Sequence, residues 1–337
     1  MSVWTNFWAQ LPKHFFALAP MEDVTDTVFR ELIVSAAAPG KLHVVFTEFL
    51  SVDGFLHPVG EEKVSHRLHV SRQEREKLIT KGIRLVAQIW GSDPEKFFEA
   101  SRRIASEFEF DGIDINMGCP VKKIVKNKAC SALIKTPELA KEIVEATREG
   151  SGLPVSVKTR IGFNEVETVR WIGNLLDAKP MAITVHGRTQ KMQSDGRANW
   201  NEVLKSVGLR DALKSETRIL GNGDVSSYED GLEKAATFSA DGIMVGRGIF
   251  TNPAFFSVPQ SMDPGERIQL LKSHITRFGE TWEGKKNYAI LKRFFKIYVH
   301  SFENATSLRS RLMSTNNCLE GLHLIREFED AKILIPQ

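Results

Sequence analysis

The feature that most constrains this 337-residue chain is a repeated unit of one short apolar run followed by a helix-period segment. Starts of the helix-period segments carry N-terminal signals at Asp93-Pro94, Thr136-Pro137 and Ser226. Continuous apolar runs are typical of buried parallel strands, and eight of them alternating with helices match the usual barrel of about 250 residues. We therefore predict a (β/α)8 TIM barrel. The eight runs are FFALAPM (15–21), HVVFTEF (43–49), LVAQIWG (85–91), GIDINMG (112–118), PVSVKTR (154–160), AITVHGR (182–188), RILGNGD (218–224) and GIMVGRG (242–248).

A doubly wound open sheet is the competing α/β architecture. It would more often carry a GxGxxG turn after its first strand, whereas the first run here continues into APMEDVTD. The long, charged gap between the second and third runs predicts additional surface structure. After Asn252-Pro253 the strand pattern stops, and Phe, Tyr and Leu recur at three- and four-residue spacings. We predict a barrel over residues 1–253 and a smaller all-helical domain over residues 254–337.

Composition and cysteine usage limit the class of protein. With 42% hydrophobic and 26% charged residues, the chain can bury a large globular core. Cys119, Cys130 and Cys318 match neither a zinc site nor a redox CxxC motif, so we predict no metal site and expect free thiols in a reducing, cytoplasmic location. No signal peptide is predicted, and no window reaches the roughly 18 apolar residues of a membrane span. A membrane partner is not expected.

Charge is distributed unevenly along the chain. The whole chain carries a net charge of +3, but ten Lys and Arg residues between Arg267 and Arg311 stand against three acids, a local net charge of +7. Such a block is the electrostatic signature of a polyanion partner, and it is also common on a solvated helix face. The block alone does not decide between these two interpretations.

Polar residues follow the ends of the apolar runs, and in a barrel the active site lies at the carboxyl ends of the strands. Each residue alone has a structural explanation: a lysine there is usually solvated, a histidine packed and a cysteine buried. Their coincidence at one rim predicts a functional site. The residues are Pro20, Met21, Glu22, Glu48, Gln88, Asn116, Cys119, Lys158, Arg160, His186, Arg188, Asn222, Gly223, Asp224, Gly246 and Arg247.

The turns after the last two runs indicate a phosphate. GNGD and GRG place glycines and backbone N–H groups at the common phosphate position of barrel enzymes, and Arg247 adds a fork of donors. Ordinary tight turns would also explain these glycines. If the phosphate belongs to a flavin, Lys158 can stabilise the reduced ring, while Gln88 and His186 can support its pyrimidine edge.

Cys119, within DINMGCP, has a chemical explanation on this hypothesis. A flavin that delivers hydride to one end of an activated C=C bond needs an acid at the other end. A thiol with an ordinary pKa of about 8.5 is protonated at neutral pH. We therefore expect Cys119 to have such a pKa and to be the proton donor.

Seven segments, in this order, resemble those of the tRNA-dihydrouridine synthases: LAPMEDVTD, QIWGSDP, DINMGCP, VKTRIGF, TVHGRT, GNGDV and GIMVGRG. The resemblance covers the barrel and, more weakly, GKKNYAILKRFFKIYV in the tail. It implies FMN as cofactor, NADPH as reductant and a uridine in the D-loop of tRNA as substrate, with no obligate protein partner. Cys119 is then the general acid, and the implied flavin site consists of Pro20, Met21, Glu22, Gln88, Lys158, His186, Asn222, Gly223, Asp224, Gly246 and Arg247.

Reduction of uracil would place hydride from reduced FMN on C6 and the proton from Cys119 on C5. Asn116 is expected to orient the base.

Two positions depart from the family pattern: Cys130 stands where glycine is usual, and Gln190 stands where a second arginine is frequent. The other expected tRNA contacts are Arg160, Arg188, Lys122, Lys123, Lys292 and Arg293.

Three other classes share parts of this pattern. An FMN barrel oxidoreductase acting on a small pyrimidine, of the dihydroorotate or dihydropyrimidine dehydrogenase type, would share the flavin site without needing the basic block. An aldolase-like barrel would use Lys158 as a Schiff-base amine and would be colourless. A catalytically silent RNA-binding protein would need neither Cys119 nor Lys158.

Overall fold

A computed structural model describes residues 6–333, and its centre is a closed parallel barrel. Eight strands close it, because β1 pairs with β2 and β9, and β2 pairs in turn with β4. The two-residue β3 adds only to the edge of β4. The predicted TIM barrel is confirmed, with one barrel strand in each predicted run. Within the described residues the strands are β1 (Phe15–Leu18), β2 (Val44–Phe46), β3 (Leu50–Ser51), β4 (Arg84–Trp90), β5 (Gly112–Met117), β6 (Val155–Arg160), β7 (Ala182–His186), β8 (Arg218–Asn222) and β9 (Gly242–Val245).

The helices begin close to the start signals in the sequence, and one N-cap lies a single residue later than predicted. Asp93 accepts the N–H groups of Glu95 and Lys96, as predicted. Ser227, one residue later than predicted, caps its helix by accepting the Asp230 N–H. The α-helices are α1 (Phe7–Gln10), α2 (Thr27–Ala36), α3 (Val52–Leu56), α4 (Pro58–Val64), α5 (Arg72–Lys81), α6 (Pro94–Glu107), α7 (Lys122–Lys126), α8 (Pro137–Ser151), α9 (Thr168–Asp177), α10 (Asn201–Ala212), α11 (Tyr228–Thr237), α12 (Pro264–Trp282), α13 (Phe295–Tyr298), α14 (Ala305–Ser314) and α15 (Cys318–Ile333). Short 3-10 helices cover Ser65–Leu68, Cys130–Lys135, Arg247–Phe250 and Tyr288–Phe294.

The predicted surface structure between the second and third runs is present as β3, α3, α4, a 3-10 helix and α5. From Pro264 onward the described chain is helical, which confirms the all-helical tail. This tail shares one continuous core with the barrel: the Phe294 ring lies 5.1 Å from that of Phe29. The division at residues 253 and 254 stays a prediction. Over residues 6–333, no helix is both long and apolar enough to cross a membrane.

Much of the basic block is paired inside the protein. The Lys286 ammonium lies 2.7 Å from a Glu48 carboxylate oxygen and 3.3 Å from one of Asp26, and it stands 4.7 Å above the Trp282 ring. Its side chain is only 3% exposed. Other cations of the block that pair with carboxylates are Arg277 with Glu31, Arg293 with Asp23, Lys272 with Glu329 and Arg311 with Glu327. The local charge of +7 therefore overstates the positive charge offered to a partner.

Candidate active site

A cavity of about 550 Å³ opens at the carboxyl ends of the strands, where the sequence places the site. Phe49, Ser194 and Thr251 also line it and were not predicted. Phe49 is an apolar residue at the end of the second run, and Ser194 and Thr251 lie in loops whose course the strand pattern does not fix. The predicted residues that line it are Pro20, Met21, Asn116, Cys119, Lys158, Arg160, His186, Asn222, Gly223, Asp224, Gly246 and Arg247.

The loop after β5 holds Cys119 in the cavity wall, where the residue is partly exposed. Asn116 Oδ1 accepts the N–H groups of Gly118 and Cys119 at 3.0 and 2.9 Å. The Cys119 carbonyl accepts the Ser131 hydroxyl at 2.7 Å. The backbone on both sides of the thiol is thus fixed by side chains.

The Cys119 thiol does not have an ordinary pKa. The neighbouring Cys130 thiol, the Val121 N–H and the charge of Arg160 lower its pKa to about 7, against the opposing effect of burial. The expectation of an unperturbed thiol is therefore wrong. It failed because Cys130, eleven residues later in the sequence, begins a 3-10 helix that returns it to Cys119. Burial raises the pKa of Cys130 itself.

A buried chain of polar groups lies behind Asn116. Asn116 Nδ2 donates to Gln88 Oε1 at 3.0 Å, and Gln88 Nε2 donates to Asp114 at 2.6 Å. Ser156 donates to the other Asp114 oxygen at 2.6 Å. Burial raises the Asp114 pKa to about 6. Sequence reasoning missed Asp114, although its position two residues before Asn116 on β5 puts both on one face of the strand.

These buried hydrogen bonds limit the ligand contacts that Gln88 and Asn116 can make. Gln88 is fully buried, lies outside the cavity lining, and has both ends of its amide bonded to protein. Asn116 lines the cavity, but its amide oxygen is occupied by two backbone N–H groups. Its expected contact with a base is therefore limited to its remaining N–H. The expected flavin contact of Gln88 stays a prediction.

Lys158 and His186 face the cavity from neighbouring strands. Lys158 Nζ donates to Asn222 Oδ1 at 3.2 Å, and burial, with the charge of Arg160, lowers its pKa to about 8. Burial and then the surrounding cations hold the His186 pKa well below its ordinary value. At neutral pH the site therefore pairs a charged lysine with a neutral imidazole.

The turns after β8 and β9 need glycine for steric reasons. Gly223 has a φ of +116°, and a Cβ there would lie 2.7 Å from that of Ala198. A Cβ on Gly248 would lie 2.3 Å from the carbonyl oxygen of Val225. A Cβ on Gly246 would meet only Ala19, at 3.8 Å, so glycine there leaves room in the cavity.

Arg188 and Glu22 lie outside the cavity lining. Arg188 donates to both Asp224 carboxylate oxygens, at 2.7 and 2.8 Å, and to the carbonyl of Gly196, and it is buried. Glu22 pairs with Arg67. Arg188 therefore supports the turn after β8, and its expected contact with tRNA stays a prediction.

The remaining predicted tRNA contacts lie outside the cavity lining and are exposed or partly exposed. Lys122 and Lys123 are exposed on α7, directly after the Cys119 loop. Lys292 is partly exposed in the 3-10 helix Tyr288–Phe294, and Arg293 donates to a carboxylate oxygen of Asp23 at 3.2 Å.

Comparison with known proteins identifies the family. The model of the dihydrouridine synthase (Dus) family matches residues 17–332. A probable tRNA-dihydrouridine synthase of Staphylococcus aureus (strain COL) is 41% identical over 96% of this chain and 96% of its own length. Probable tRNA-dihydrouridine synthase 2 of Bacillus subtilis (strain 168) is 40% identical over 96% of this chain and 97% of its own length. Morphinone reductase shares the fold, with a TM-score of 0.50 and 13% identity over 76% of this chain and 89% of that one. The chain therefore belongs to the dihydrouridine synthase family of oxidoreductases.

Proposed function

We propose that this chain reduces the C5=C6 bond of a uridine in the D-loop of tRNA, with FMN as cofactor and NADPH as reductant. One observation carries the proposal: a single cavity brings together the Cys119 thiol, the Lys158 amine and the glycine turns after the last two strands. The family and the names of its relatives support tRNA as the substrate.

The residues around the cavity fit FMN. The glycine turns after β8 and β9, with exposed Arg247, would hold its phosphate through backbone N–H groups and a guanidinium. Pro20 and Met21 would pack against the ring, and Lys158 and His186 would lie at its polar edge. Gln88 and Glu22 would support this layer from behind. When bound, FMN would supply the hydride that adds to C6.

The chain's own part in the reaction is to hold a proton and to stabilise charge. Cys119 would give its proton to C5, because C5 gains electron density as C6 is reduced. Negative charge also develops on the conjugated C4 carbonyl, where cations in the wall are stabilising. Lys158 and Arg160 are the cations beside Cys119 in the cavity. Arg160 uses Nε and Nη1 on protein carbonyls, while its Nη2 makes no hydrogen bond within residues 6–333.

Outside the cavity, Lys122 and Lys123 would contact tRNA phosphates. Both are exposed beside the Cys119 loop, and in the described part of the chain neither is in an ion pair. Lys292 would extend this basic surface on the helical side. Arg293 would have to share its guanidinium with Asp23.

The purified chain tests the proposal. It is expected to carry flavin and, with NADPH, to form dihydrouridine in unmodified tRNA, measured by mass spectrometry of nuclease fragments that locate the residue. Uracil, uridine and orotate serve as parallel substrates. Reduction of these without reduction of tRNA would support the small-pyrimidine oxidoreductase instead, and absence of flavin would contradict the cofactor.

The lowered pKa of Cys119 predicts a dependence on pH. The donor is the protonated thiol, so its fraction falls as pH rises through about 7. Between pH 7 and pH 8 the protonated fraction drops about fivefold, and the single-turnover rate with pre-reduced enzyme should drop with it. Reduction by NADPH is measured separately at each pH. A single-turnover rate that stays constant to pH 9 would remove the acid role of this thiol.

A further inference from the structure

The loop that carries Cys119 is held at three consecutive carbonyl oxygens. Each accepts a hydrogen bond from a side chain on a different segment, so its orientation depends on residues far away in sequence. The three bonds are Arg160 Nε to the Gly118 oxygen at 2.6 Å, Ser131 Oγ to the Cys119 oxygen at 2.7 Å, and Gln190 Nε2 to the Pro120 oxygen at 3.2 Å.

Gln190 makes its bond from a segment that is itself tied down. Its own N–H donates to the Gly162 carbonyl at 2.9 Å. Arg160 Nη1 donates to the carbonyls on either side of it, those of Thr189 and Gln193, at 3.0 and 2.8 Å. The Gln190 amide therefore approaches the cysteine loop from a fixed support.

The carbonyl that Gln190 holds belongs to a peptide unit that also reaches the thiol. The Pro120 C=O and the Val121 N–H lie in one planar trans unit, so fixing one fixes the direction of the other. The Val121 N–H is among the groups that lower the pKa of the Cys119 thiol, because it stabilises the thiolate. A bond at one end of this unit thus orients the donor at its other end.

We propose that Gln190 is a positioning residue for Cys119, because its bond to Pro120 orients the peptide plane that presents the Val121 N–H to the sulfur. The inference rests on the proposed role of Cys119 as the acid. Without this bond the plane loses its tether to Gln190, and the Val121 N–H is held less firmly toward the thiolate that it stabilises. Other groups that face the sulfur stay in place: the Cys130 thiol, the charges of Arg160 and Lys158 on β6, and Glu22 after β1.

Gln190→Met tests the proposal, since it keeps the length and neutrality of the side chain and removes the donor. Thiolate content is read by the rate at which iodoacetamide alkylates Cys119, followed by peptide mass spectrometry across a range of pH. A rise of one pH unit in the profile would slow alkylation at pH 7 about fivefold. The pH at which dihydrouridine formation declines should rise equally, with an unchanged KM for tRNA.

Gln193→Met is the matched control. It is the same substitution on the same loop, at an exposed side chain that makes no hydrogen bond within residues 6–333. The hydrogen bonds of Gln193 are made by its backbone, whose carbonyl accepts from Arg160 and whose N–H donates to the Gln190 carbonyl, so the substitution leaves them in place. It should retain the wild-type profile. Gln190→Lys keeps a donor and should retain that profile or move it toward lower pH. Either a wild-type profile in Gln190→Met or a shift toward higher pH in Gln190→Lys would overturn the proposal.

Alkylation separates this inference from the proposed function. Alkylation needs neither tRNA nor turnover. If the protein forms no dihydrouridine, the proposed function is contradicted, but the alkylation rate of Cys119 still shows whether Gln190 affects the thiol. If Gln190→Met loses its fold, seen by circular dichroism, Gln190→Leu takes its place, because it also removes the donor and keeps the side chain neutral, and the same rise in the pH profile is expected.

Discussion

Replacing Cys119 with alanine is expected to lower the single-turnover rate of dihydrouridine formation by about 10²- to 10⁴-fold, the usual contribution of a positioned acid. The substitution should slow the chemical step and leave the structure of the loop unchanged. The loop is held through backbone groups, by Asn116 at two N–H groups and by Ser131 at a carbonyl, and all three bonds remain in the variant. Flavin content and tRNA affinity should stay at wild-type values.

The other two cysteines provide controls for this variant. Cys318→Ala removes a thiol from α15 and should leave the rate unchanged. Cys130→Ala keeps the acid but removes the largest cause of its lowered pKa, so its activity should persist to higher pH than that of the wild type. Wild-type product formation by Cys119→Ala would remove the acid role. Loss of flavin in that variant would assign the cysteine loop to cofactor binding.

The barrel and its site could be predicted because both depend on pattern. Buried parallel strands leave continuous apolar runs, and closing the barrel brings every carboxyl end to one rim, so residues as distant as Met21 and Arg247 could be placed together. The strand β3 was missed because two residues form no run. The sequence pattern does not predict the partner of each polar side chain, because that partner depends on tertiary packing. Examples are the hydrogen bond between Gln88 and Asn116 and the approach of Cys130 to Cys119.

Charge shows the same limit. The count of cations in the tail was correct, but the carboxylates that take up Lys286 lie 238 and 260 residues away in sequence. Net charge along a chain indicates a partner only for cations that the fold leaves exposed. In this protein α7 beside the cavity carries exposed Lys122, Lys123 and Lys126. Several tail cations instead pair with carboxylates, and Lys286 and Arg277 pair with those of the barrel.

Replacing Lys286 with methionine is therefore expected to destabilise the protein by about 3–5 kcal/mol, the usual cost of removing one partner from a buried ion pair. The Glu48 and Asp26 side chains are 1% and 7% exposed, so neither carboxylate can be solvated in its place. Lys285→Met, at the exposed neighbouring residue, should change stability by no more than about 0.5 kcal/mol. Urea unfolding followed by circular dichroism measures both variants.

The sign of the pH dependence identifies the cause of that loss. Burial already raises the Glu48 pKa, and Lys286 opposes the rise, so the variant's Glu48 should have a still higher pKa in the folded state. A raised folded-state pKa means that stability is lost as pH increases above the unfolded value of 4.5. The difference in unfolding free energy between wild type and Lys286→Met should therefore be larger at pH 8 than at pH 5.5. Adding Glu48→Gln to the variant should reduce this difference, because it removes one of the two unpaired buried charges. If the difference were the same at both pH values, the loss would come from the contact of the lysine stem with Trp282 and not from the buried carboxylates.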